Sequence, residues 1–100
     1  MPRLTGAPEA MPERAERAQR AISTMTRVKV LRYLAHRPEA TRQDILDATD
    51  LSYATLRDAL EDLGSLGYVA KGKGSRSATY SVDRAKVTED LALLVAFVLG

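Results

Sequence analysis

The sequence predicts a mainly helical domain with one small β-hairpin, and three observations predict it. Apolar residues recur at three- and four-residue intervals in several separate stretches. Two of these stretches are parted only by Asp50 and Leu51. Further on, two short runs rich in β-formers flank a polar loop containing Gly72 and Gly74. The chain has 100 residues, 45% hydrophobic and 28% charged, which suits one soluble domain. A core of that size stays modest and leaves apolar surface near water, so a partner subunit would help it.

Each element can be justified in order. Residues 1–11 read as a flexible tail, because Pro2, Gly6 and Pro8 interrupt them and Leu4 is the only large apolar residue between Met1 and Met11. Residues 12–100 read as the domain. Residues 12–22 are rich in good helix formers, with Glu13–Arg17 and Glu16–Arg20 in the favourable i, i+4 order. They hold few apolar residues, so this helix needs something to hold it, such as a second subunit. Residues 22–36 form an amphipathic helix with Ile22, Met25, Val28, Leu31, Leu34 and Ala35 inward, stopped by Pro38. Thr41 and Asp44 make a helix-start pattern for residues 42–49, with Ile45, Leu46 and Ala48 inward. Ser52 caps the next helix, whose stripe is Leu56, Leu60 and Leu63 and which Gly64 or Gly67 can end. Residues 68–71 and 78–82 are the two strands. The last helix starts near Asp83 or at Thr88, with Thr88 as the cap and Glu89 and Asp90 at its positive end. Beyond Asp90 every residue to Leu99 is apolar, so that helix needs cover on more than one side.

Composition excludes several kinds of chemistry. The chain has no cysteine, which removes disulfides, thiolate metal sites and cysteine nucleophiles. The only histidine is His36, at a helix end, so no metal site and no catalytic constellation is expected, and no cofactor. Residues 1–11 lack a signal-peptide core, and the apolar run from Leu91 to Leu99 is too short to cross a bilayer. A cytoplasmic protein without a membrane partner is expected. The net charge is only +2, but Lys71, Lys73, Arg76, Arg84 and Lys86 crowd one segment against Asp83 alone. Such a block can collect an anionic polymer on a nearly neutral protein.

Two helices joined by a tight turn, followed by a basic hairpin, make a winged helix-turn-helix. From Thr26 to Leu34, Leu51 to Leu56, Leu63 to Val69 and Ala78 to Val82 the sequence resembles the winged helix-turn-helix transcription regulators, most closely the ArsR-like group. MarR-like and PadR-like regulators share much of this pattern. The resemblance implies a DNA-binding regulator, a dimeric repressor, with residues 52–63 in a major groove. Tyr53, Ala54, Arg57 and Asp58 would then face bases, with Arg57 suited to guanine O6 and N7. Ser52 and Thr55 would face phosphates. Arg57 has a second possible partner in Glu61 on the helix surface.

Lys71, Lys73 and Arg76 of the hairpin suit phosphates or a minor groove. Arg42 and Gln43 sit where backbone N–H groups at a helix start can also bind phosphate. The metal sites of the ArsR-like group need cysteines or a His–carboxylate cluster on the last helix, and neither is present here.

On the last helix, Leu91, Leu94, Val95 and Val98 can pack on the chain's own helix near Ile22 and Met25. Leu93, Ala96 and Phe97 have no evident intrachain partner. Pairing the terminal helices with their copies about a twofold axis gives an expected dimer interface of Arg17, Ile22, Leu91, Leu93, Leu94, Ala96 and Phe97. A different reading is a protein-interaction module of a larger assembly, since residues 58–62 are acidic and the C-terminus is apolar.

Overall fold

The computed structural model describes residues 10–72 and 78–100. Five helices and three short strands follow in the order α1 (Glu13–Ala21), α2 (Met25–Ala35), β1 (Ala40–Thr41), α3 (Arg42–Ala48), α4 (Tyr53–Ser65), β2 (Val69–Lys71), β3 (Thr79–Val82) and α5 (Arg84–Leu99). The strands form one antiparallel sheet in the order β1-β3-β2, with Ala40 opposite Tyr80 and Val69 opposite Val82. The expected mainly helical architecture with one hairpin is therefore present. β1 adds a third strand that two residues are too few to announce.

Local side-chain bonds set most helix starts. Thr24 accepts a bond from the Arg27 N–H and opens α2. Thr41 and Asp44 form a complete capping box: the Thr41 hydroxyl accepts from the Asp44 N–H, and the Asp44 carboxylate accepts from the Thr41 N–H at 3.0 Å. Ser52 accepts from Thr55 N–H at 3.1 Å. The end of α4 is a Schellman turn. Tyr68 N–H reaches the Leu63 carbonyl and Gly67 N–H the Gly64 carbonyl, with Gly67 at φ +83°. That left-handed step turns the chain back, so Tyr68 is buried beneath it.

The core gathers Val30, Leu31 and Leu34 of α2, Ile45 of α3, Leu56, Ala59, Leu60 and Leu63 of α4, and Tyr68, Val69 and Tyr80 around the sheet. Ala48 of α3, expected inward, is exposed, and four further expectations need correction. The helical stretch starts at Met25 instead of residue 22, and Met25 and Ile22 are exposed while Val30 is buried. The break at residues 22–24 turns α2 so that Val30 faces in. α5 starts at Arg84, capped by Asp83 through the Lys86 N–H at 3.1 Å, so Thr88 is no cap. Asp90 consequently lies in the second turn, facing a neighbour and not the helix end.

The third and fourth corrections concern the terminal helices. α1 finds its support within the chain. Ala15, Ala18 and Ala21 are buried, and α1 packs on α5 at the close range that small side chains permit. α5 in turn packs along α1, with Leu91 and Ile22 lining one groove, and its end leaves Val95 and Val98 exposed along with Phe97 and Leu99.

One buried charge ties this helix pair to the rest. Asp90 is fully buried. It accepts from Tyr68 Oη at 2.7 Å and from Arg14 Nε at 2.7 Å, and Arg17 Nε lies 3.7 Å away. Burial pushes the Asp90 carboxyl up, but the bonds from Tyr68 and Arg14 outweigh it and hold it below its usual value. The Tyr68 hydroxyl is pushed up to about 12, first by burial and then by the Asp90 carboxylate.

Candidate nucleic-acid interface

Burying Leu56, Ala59, Leu60 and Leu63 of α4 turns the opposite face of that helix outward. Tyr53, Ala54, Thr55, Arg57, Asp58, Glu61 and Asp62 are all exposed. The turn before α4 is held by Thr49, whose hydroxyl donates to the Ile45 carbonyl at 2.7 Å. Ile45 of α3 and Leu56 of α4 are both buried in the core, and the first turn of α4 stands exposed.

Arg42, at the start of α3, leans across to that first turn. Its Nη1 donates to Tyr53 Oη at 3.0 Å, and its guanidinium lies 5.6 Å from the Tyr53 ring centre and 5.8 Å from that of Tyr80. This cation–π bracket orients Tyr53. Arg42, Arg57 and Lys71, from α3, α4 and β2, line one cleft beside α4 together with Glu61. Three elements therefore deliver three cations to one edge of the exposed helix.

The remaining expected contacts fall as follows. Ser52 Oγ accepts from the Thr55 N–H and donates to Thr55 Oγ1 at 2.8 Å, so both hydroxyls serve the cap first. Gln43 donates to Asp47 at 2.8 Å. Arg57 sits 3.4 Å from Asp58, an exposed and loose contact, and the alternative pairing with Glu61 is not formed. Asp62 is neutralised by Arg27 at 2.8 Å, which moves part of the acidity of α4 away from its exposed start. Lys73 and Arg76 lie outside the described residues. Tyr80 escapes a sequence reading because its alternation marks it as core, yet its ring also backs Arg42.

At the terminal helices, Ile22, Ala96 and Phe97 are exposed, while Leu91, Leu93 and Leu94 are partly buried. Arg17, the remaining residue of the expected dimer interface, is partly buried, with its Nε 3.7 Å from Asp90 of its own chain.

Three solved structures share this arrangement of helices and hairpin. A crystal structure of an ArsR family transcriptional regulator matches with a TM-score of 0.70 at 21% identity, over 84% of this chain and 91% of that one. An ArsR-like transcriptional regulator from Rhodococcus sp. RHA1 gives 0.73 at 19% identity, over 84% and 78%. The solution structure of a homodimeric winged helix-turn-helix DNA-binding domain from Mycobacterium bovis, a possible ArsR-family transcriptional regulator, gives 0.68 at 23% identity, over 86% and 79%. The fold is a winged helix-turn-helix.

In that fold α3 and α4 are the helix-turn-helix, and β2 and β3 are the stem of the wing. The cation-lined cleft lies between the second helix and the wing. No protein-family model matches the chain, and no curated protein matches it by sequence. Among the described residues no helix is long and apolar enough to cross a membrane.

Proposed function

We propose that this chain is a sequence-specific, double-stranded DNA-binding transcriptional regulator that acts as a homodimeric repressor in the cytoplasm. The observation that carries this reading is the exposed first half of α4 flanked by Arg42, Arg57 and Lys71. A helix presented in this way fits a major groove, and the three cations fit the phosphates on its rim. Tyr53, Ala54, Arg57 and Asp58 would meet base edges, Arg57 as a fork on guanine and Asp58 as acceptor for a cytosine amino group. Ser52, Thr55, Arg42, Gln43 and Lys71 would meet the backbone, and so, by their charge, would Lys73 and Arg76. Residues 12–100 would act as one unit, its terminal helices serving dimerisation, and residues 1–11 as a tail.

The exposed strip of Val95, Phe97, Val98 and Leu99 supports a twofold partner, as does the homodimeric Mycobacterium bovis domain of the same fold. Repression is the simplest output of such a dimer, because occupying a stretch of groove excludes other proteins without any further contact. Selection of bound duplexes from a random pool tests the reading. A palindrome with half-sites about one helical turn apart is expected. Recovery of no enriched sequence, with no duplex retained even at low salt, would overturn it.

A further inference from the structure

A second surface, formed by none of the residues that would face DNA, has the chemistry of a small-molecule site. Ile22 after α1, Val28, Leu31 and Ala35 of α2, Val82 at the end of β3, and Val87 and Leu91 of α5 wall a groove of about 300 Å³. Arg32, Arg84 and Thr88 lie along it. Arg84 is fixed there: its Nη1 donates to the Ala35 carbonyl at 2.7 Å, near the end of α2. Arg32 is exposed and makes no ion pair or hydrogen bond among the described residues. An apolar trough with two guanidinium groups is unlike a core defect, which would be apolar throughout, and unlike an ordinary solvated face, which would lack the trough.

We propose that this groove binds a small amphipathic carboxylate, its apolar body lying between α2 and α5 and its carboxylate between Arg32 and Arg84. The groove size is at the small end of ligand sites, which favours a short or medium-length body. The guanidinium fork matches a carboxylate in two parallel bonds, and Thr88 can donate a third. The position also gives the site leverage. α2 packs directly on α4, while α5 packs on α1 and runs into the exposed apolar strip. A ligand wedged between α2 and α5 sets the angle between the helix-turn-helix and the terminal helices. In a dimer it would change the spacing of the two α4 helices. That consequence rests on the dimeric DNA-binding reading; the binding site does not.

The test is methyl NMR of the full chain titrated with decanoate, with decanol as the uncharged control. Saturable shifts are expected at Val28, Leu31, Val82, Val87 and Leu91, with Val98 and Leu99 unmoved. Decanol is expected to bind about tenfold more weakly, since it lacks the charge-assisted bonds. R32Q leaves the Arg84–Ala35 bond in place and is expected to weaken decanoate but not decanol. Equal binding of both probes, shifts spread over the exposed end of α5, or no shift at millimolar decanoate because a second copy covers the groove would each overturn the site. Release of a selected duplex by saturating decanoate is the expected regulatory result. Unchanged retention would overturn the coupling alone, and failure to retain any duplex would bear on the DNA reading without touching the methyl shifts.

Discussion

Asp90 keeps a charge where no solvent reaches it, and it does so because two arginines of α1 and the Tyr68 hydroxyl surround it. Asp90→Asn is expected to cost about 1.5–3 kcal/mol at neutral pH, the range for hydrogen bonds to a charged group. The sign of the acid effect follows from its lowered folded-state value. Its contribution is complete above the ordinary carboxyl value of 3.8 and is lost as pH falls through the lower folded one. Thermal melts should therefore show wild type losing its advantage over the Asn variant below about pH 4. Tyr68 acts at the other extreme. Its folded value of about 12 against an ordinary 10.0 means that its contribution is complete below pH 10 and fades as pH approaches 12. Tyr68→Phe should be less stable at neutral pH and lack that alkaline loss; parallel slopes in the two proteins above pH 10 would refute the assignment. At the proposed interface, Arg57→Ala is expected to cost about 1–3 kcal/mol on a selected duplex and to relax one base position. Equal losses on selected and random duplexes in a retardation assay would make Arg57 a phosphate contact instead.

At the scale of elements, the helix-turn-helix is the part most legible in the sequence. Thr41, Asp44 and Ser52 mark its two helix starts, and a cap is a bond between residues three apart, so the pattern is local and the structure repeats it. The hairpin strands are legible for the same reason, their alternation being local. α2 is only half legible. Its end before Pro38 follows from the sequence, but its start moves to Met25 and the buried set shifts to Val30, Leu31 and Leu34 across the break at residues 22–24. α1 hides its partner, since a stripe of alanines carries too little hydrophobic signal to show that it packs closely on anything. The wing stem gives a test at this scale. Lys71→Ala should weaken all duplexes about equally and lower the slope of log affinity against log salt by about 1. An unchanged slope would place β2 off the DNA backbone.

For the whole molecule, the decisive feature is the apolar end of α5. Val98 is 67% and Leu99 80% exposed, and Phe97 and Val95 extend the strip. Contiguous apolar surface of this kind marks a contact surface. Wild type is expected to sediment as a dimer at micromolar concentration. Phe97→Glu combined with Leu93→Glu should give a monomer that retains its helical circular dichroism and loses a palindromic duplex. A monomeric wild type would remove the twofold arrangement and with it the paired half-sites. The candidate interface was legible as residue types, with the outward Tyr53 and Arg57 following from the inward Leu56 and Leu60. Its assembly was not, because Arg42 reaching Tyr53 and Tyr80 joins three elements that sequence leaves apart.

The sequence by itself determined the order of the main helices, the caps of α3 and α4, the hairpin and the surplus of apolar surface at the C-terminus. Each of these rests on spacing within a few residues or on composition. Only the tertiary structure decided that α1 and α5 pair, that β1 joins β3, and that Asp90 is a buried anchor. The Arg14–Asp90 contact spans 76 residues. No periodicity reaches that far, and a carboxylate beside an apolar run reads equally well as a helix-end charge or a buried one until the arginines opposite it are in place.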